Sequence, residues 1–117
     1  MNSINFLKLR GWYASHFEAN LKGRRILFDD IQPLIEKLPE IFEREIIGYS
    51  ENKIPIYKIS MGSGETKVLS WSQMHGNEST GTKALFDLFE FFRNPTPEFE
   101  NIAEEIFEKC RLELTFS

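Results

Sequence analysis

A chain of 117 residues with 41% apolar and 27% charged side chains is long enough for one globular domain and too apolar to stay disordered. Its net charge of −4 argues against a nucleic-acid partner, because phosphate binding needs concentrated Lys and Arg. A single cysteine excludes an internal disulfide framework, and no apolar run approaches the roughly 20 residues that span a bilayer, so no membrane partner is expected.

The first residues show no basic segment followed by an apolar stretch, so no secretory signal is expected and a cytoplasmic location is the default. Residues 1–28 mix aromatic and polar side chains without periodicity and are expected to form a loosely organised lead-in. Within it, Lys22-Gly23-Arg24-Arg25 is short enough to read as a solvated loop. Residues 29–117 read as the domain proper. Eleven phenylalanines give this domain more apolar surface than so small a core easily hides.

Phe28-Asp29-Asp30 marks a helix start with an Asp as N-cap, and Ile31, Leu34, Ile35 and Leu38 form one face. Pro33 is tolerated in a first turn and Pro39 ends the element. Phe42 to Ile47 and Ile54 to Met61 are strand-like and separated by a polar turn, Gly48 to Lys53, so they are expected to pair as a hairpin. Tyr57, Ile59 and Met61 fall on one side of the second strand. Lys67 to Met74, with Val68, Leu69 and Trp71 on both faces, reads as a strand buried on both sides. Ser79 or Thr80 starts a helix with Ala84, Leu85, Leu88, Phe89 and Phe92 on its stripe. Asn94-Pro95-Thr96-Pro97 breaks it. Phe99, Ile102, Ala103, Ile106, Phe107 and Cys110 mark a second amphipathic helix, and Arg111 to Ser117 alternates as a final strand.

This order predicts an α/β fold with a mixed β-sheet flanked by helices, the last strand lying parallel to the third through a right-handed crossover. A parallel strand is normally interior, with a neighbour on each edge and helices on each face, so a chain ending on one is expected to leave an unfinished sheet edge, through which self-association is plausible.

The chemistry concentrates at Met74-His75-Gly76-Asn77-Glu78, a strand-to-helix junction. Neutral imidazole and carboxylate are both ready zinc donors, and a catalytic zinc takes three protein ligands plus a water. His75 and Glu78 supply two, with Gly76 expected to let the chain turn sharply between them. Neither His16, in the unpatterned lead-in, nor Cys110, on a helix stripe that favours core packing, makes a good third. Gly62-Ser63-Gly64-Glu65-Thr66-Lys67 lacks the spacing of a phosphate loop and precedes a strand, so it reads as a hairpin turn.

His75-Gly76-Asn77-Glu78 after a hydrophobic strand, followed by Ser79-Thr80-Gly81-Thr82-Lys83-Ala84-Leu85, resembles the H-x-x-E zinc segment of the zinc metallocarboxypeptidases. Upstream, Ile47-Gly48-Tyr49-Ser50-Glu51-Asn52-Lys53-Ile54-Pro55-Ile56 is similar to that family's I-G-x-S-x-x-G-R-x-I hairpin, with Asn52 and Lys53 read in place of its Gly-Arg. The resemblance runs from about Asp30 to Phe116 and covers the amino-terminal part of the family's catalytic domain.

The resemblance implies a partial carboxypeptidase-like three-layer fold, truncated after about four strands. It also implies one Zn²⁺ held by His75 and Glu78, and a peptide substrate for the intact enzyme. The third zinc ligand, the general-base glutamate and the groups that clamp a terminal carboxylate are implied to lie downstream, leaving no catalytic residue within these 117. Two alternatives stay open. Relatives of succinylglutamate desuccinylase and aspartoacylase also carry His-Gly-Asn-Glu and cleave N-acyl amino acids, although the hairpin block favours the peptidase. The chain could also be a non-catalytic, truncated binding module.

Overall fold

The computed structural model describes residues 4–116. Residues 1–3, at the head of the expected lead-in, and residue 117, at the tip of the expected final strand, lie outside it. The described elements are, in chain order, α1 (Phe6–His16), α2 (Phe28–Glu36), β1 (Glu43–Tyr49), β2 (Pro55–Met61), β3 (Thr66–Trp71), α3 (Thr80–Arg93), α4 (Thr96–Lys109) and β4 (Cys110–Phe116).

The lead-in is more ordered than its pattern suggests. Residues 6–16 form a helix whose N-cap, Asn5, accepts the backbone N–H of Lys8 at 3.2 Å. Only Trp12 is buried on it, so no apolar stripe announces this helix in the sequence. Trp12 anchors it over a long range: its indole N–H donates to the Asn94 carbonyl at 3.0 Å and its ring meets Phe91 edge-on, while Lys8 pairs with Glu98 at 2.9 Å. Phe6 and Leu7 face solvent.

In α2, Ile31, Ile35 and the following Leu38 are buried as expected. The N-cap is Leu27, not an Asp. Leucine has no acceptor, so Asp30 does the capping from inside the helix, its carboxylate taking the Leu27 N–H at 2.8 Å. Pro33 lies inside the helix beyond its first turn, leaving the ladder one donor short there.

The four strands form one mixed sheet in the order β1-β2-β4-β3. β1 and β2 are the expected antiparallel hairpin, with Ile47 bulging between Ile46 and Gly48. β4 runs antiparallel to β2 and parallel to β3. Two expectations change here. The final strand is interior, and the parallel strand β3, expected to be buried on both sides, forms an edge. Its Val68, Leu69 and Trp71 are exposed, and the open edge therefore belongs to β3 rather than to the last strand.

Register assigns the two faces. Val68 pairs with Leu112, Met61 with Leu112, Ile59 with Leu114, and Tyr57 with Phe116, so these side chains share one face. All the helices gather on it. Phe28 of α2 stacks on Tyr57, and Phe86 and Phe89 of α3 contact the Phe116 ring. Phe107 of α4 borders the same cavity as Met61. α1 lies outside α3, against Phe91. The described residues thus make two layers plus an outer helix, without the second helical layer that a three-layer fold requires. The other face carries ion pairs, Arg111 with Glu43 at 2.6 Å and Lys58 with Glu45 at 3.2 Å. The first spans from β4 to β1 and so crosses β2, where the small Ser60 is buried beneath it.

The inner stripe of α3 is Thr82, Phe86, Phe89 and Phe92, with Phe91 buried toward α1. Ala84, expected on the stripe, is exposed. In α4, Phe99, Ile102 and Ala103 are buried as expected. Cys110 is not on that helix: it opens β4, half-buried. Most phenylalanines are buried, but Phe6 and Phe17 remain exposed.

The Gly62-Ser63-Gly64 turn crosses the α4–β4 junction at backbone distance. Gly62 has φ 95°, and a Cβ on either glycine would collide with backbone atoms, Cys110 O at Gly62 and Lys109 C at Gly64. Ser63 and Gly64 donate their N–H groups to the carbonyls of Phe107 and Cys110, at 2.8 and 3.1 Å. Two of the turn's amides are thus committed to protein carbonyls rather than free for a phosphate.

Candidate metal pair

β3 ends at Trp71, earlier than the expected Met74, and residues 72–79 form a loop before α3. His75 and Glu78 are the first and last residues of a tight turn closed by the Glu78 N–H donating to the His75 carbonyl at 3.0 Å. That closure brings the side chains together, His75 Nδ1 lying 3.1 Å from Glu78 Oε2. Both are about two-thirds exposed, at 66% and 69%, so the pair stands on the surface beyond the carboxyl end of β3. In open α/β sheets this end of the strands is where ligands collect.

The sharp bend is not where glycine suggested. Gly76 has no positive φ, whereas Gln73 does, at 52°. Left-handed backbone in a non-glycine residue costs energy and persists only when its surroundings hold it. They do so here. The Gln73 carboxamide donates to the carbonyls of Ile26 and Gly76, both at 2.9 Å, and accepts the Thr82 hydroxyl at 2.7 Å. Since the Thr82 proton goes to Gln73, the contact of 2.7 Å between Ser72 and Thr82 has Ser72 as donor. Only one amide orientation satisfies every neighbour: nitrogen toward the two carbonyls, oxygen toward the hydroxyl.

Ser79 is the N-cap of α3, but its hydroxyl does not cap the helix; it donates to the Arg24 carbonyl at 2.7 Å. Lys83 reaches the Gly23 carbonyl. The segment expected to be a solvated loop therefore supplies the carbonyls of Gly23 and Arg24 as anchor points, with that of Ile26 just beyond it, while Arg24 and Arg25 themselves stay exposed. No pattern in the sequence marks this contact, because it uses backbone carbonyls, which every residue has.

His16 and Cys110 are not brought to the pair. The His16 ring stacks on Trp12 at 5.2 Å, and its Nδ1 lies 2.9 Å from the Trp12 carbonyl. Because that oxygen only accepts, Nδ1 is the donor in this contact. Cys110 pairs with Thr66 at the amino end of β3, the opposite end of the sheet from His75. Among the described residues no three His, Cys, Asp or Glu side chains converge on one point. The donor chemistry and spacing of His75 and Glu78 fit two positions of a zinc site, and no third is present among them.

The hairpin similar to the carboxypeptidase pattern closes with Lys53 in the left-handed region, φ 61°, its N–H donating to the Ser50 carbonyl at 2.8 Å. Left-handed backbone is where glycine is favoured, and here a lysine stands there. Among the described residues no helix is long and apolar enough to cross a membrane. No family model matches the chain, and no curated protein matches it.

Proposed function

We propose that the chain is the amino-terminal part of a zinc metallocarboxypeptidase-like hydrolase, with His75 and Glu78 as two of its three zinc ligands. One observation carries this reading: an imidazole nitrogen and a carboxylate oxygen 3.1 Å apart on a turn between a parallel strand and a helix. The chemistry such a metal supplies is Lewis-acid polarisation of a scissile carbonyl and acidification of a water molecule. These residues would hold the ion. The third ligand, the general base and the clamp for a substrate's terminal carboxylate belong to residues outside this sequence, and the intact enzyme would act on peptide carboxy termini in the cytoplasm. The bare face and open edge of β3 support the reading, since they leave room for further strands and a second helical layer.

Zinc titration of the chain and of His75→Ala, each followed by circular dichroism, tests it. The wild type is expected to take up zinc weakly, with two protein ligands. The variant should keep its fold, with stability changed by less than about 0.5 kcal/mol as expected for an exposed side chain, and lose the uptake. Zinc uptake unchanged in His75→Ala would remove His75 from the site and sink the proposal.

A further inference from the structure

We infer that Gln73 is the positioning residue of the metal pair, a role that rests on His75 and Glu78 being ligands. Four features converge on this side chain. Its backbone is the left-handed point of the loop, φ 52°. Its amide nitrogen holds the Gly76 carbonyl, inside the turn that joins His75 to Glu78, and the Ile26 carbonyl, 47 positions away in sequence. Its amide oxygen accepts from Thr82, a residue 1% exposed on the inner face of α3. Thr82 in turn accepts from the buried Ser72 at the end of β3.

Gln73 thus ties the turn to two separate parts of the fold, the segment at Ile26 and helix α3, and each side of its carboxamide has a partner. The pair itself has no comparable support. His75 and Glu78 are exposed and touch each other, so nothing in their own packing fixes the distance between them. Groups behind metal ligands set affinity by holding first-contact atoms in place, and their loss typically costs about 10- to 100-fold in binding. Glutamine suits this place because one planar group both donates twice and accepts. Glutamate has the same shape and could still accept from Thr82, but it has no protons for the carbonyls of Ile26 and Gly76.

Two readouts test the role, one with zinc and one without. In metal-free protein, the exchange rate of the Glu78 amide reports the turn, because that N–H closes it onto His75. Gln73→Ala and Gln73→Glu should each speed this exchange about tenfold or more, leaving the amides of the β2–β4 ladder unchanged. Ile59→Val, in the core of β2, serves as a variant of lowered stability remote from the turn and should leave Glu78 exchange slow. Zinc should bind Gln73→Ala about tenfold more weakly than wild type. If Gln73→Ala fails to fold, Thr82→Val, which removes only the hydroxyl to Gln73 and Ser72, is expected to speed Glu78 exchange in the same way. Unchanged Glu78 exchange in the Gln73 variants, or an equal rise in Ile59→Val, would overturn the inference. Wild-type protein that takes up no zinc while Glu78 exchange still depends on Gln73 would instead refute the metal reading and leave Gln73 as the holder of the turn.

Discussion

On the helical face of the sheet, Ile59, Leu114 and Phe116 are buried under a cluster of rings from Phe42, Phe86 and Phe89. On the opposite face Leu69 and Trp71 remain 62% and 56% exposed, beside ion pairs that link β1, β2 and β4. The strand edges differ in the same sense. β1 is guarded, with Glu43, Arg44 and Glu45 along it and a bulge at Ile47, two devices that discourage pairing with another chain. β3 has a single charged residue, Lys67, and no bulge. One face of this sheet is covered by helices and the other is bare.

The largest effect should come from breaking the covered side. Phe89→Ala empties the centre of the ring cluster and is expected to cost about 3–5 kcal/mol, enough to unfold a domain of this size under mild conditions; urea denaturation followed by tryptophan fluorescence would measure it. A change on the bare side should behave differently. Leu69→Lys is expected to alter stability by less than about 0.5 kcal/mol while suppressing concentration-dependent association through β3 in sedimentation velocity. A loss as large as that of Phe89→Ala would mean that this face already has a partner layer.

The smallest effect lies on the side of α3 turned toward α1. Burial pushes the Asp87 carboxyl above its ordinary value of 3.8, the nearby Glu18 charge adds to this, and the Glu18 N–H donated at 2.8 Å opposes it. A raised folded-state pKa means the folded protein holds this proton more tightly than the unfolded chain. The group's favourable contribution is then complete below pH 3.8 and is lost as the pH rises through the raised value. Asp87→Asn removes that slope, so its stability relative to wild type should be better at pH 7 than at pH 3. Urea midpoints at the two pH values would show it, and a relative stability that fell between pH 3 and pH 7 would contradict the sign.

Much of the framework was legible from local pattern. The hairpin, the alternation of Leu112, Leu114 and Phe116, the stripe of α4 and the parallel relation of β3 to β4 all follow from period and turn chemistry. That His75 and Glu78 could meet was legible too, since residues three apart can face each other across a turn, whereas what holds that turn was not. Several features were not. α1 is held by Trp12 reaching Asn94, a bond across 82 positions that no window of sequence contains. The apolar run of β3 reads as doubly buried because composition reports what a strand could pack against, not whether a neighbour is there. On α3, Ala84 and Phe86 differ by two positions, and only the contact with Phe116 selects which of them faces the sheet.

What the sequence determined alone is therefore the set of elements with strong periodicity and the spacing of His75 and Glu78, because side-chain spacing along a helix, strand or turn is a local matter. Tertiary structure decided the strand order, the choice of β3 as the open edge, and the support of the turn that carries the candidate pair. That support runs through Gln73, Thr82 and the carbonyls of residues 23–26, and hydrogen bonds to backbone carbonyls leave no signature in the identity of the residues that accept them.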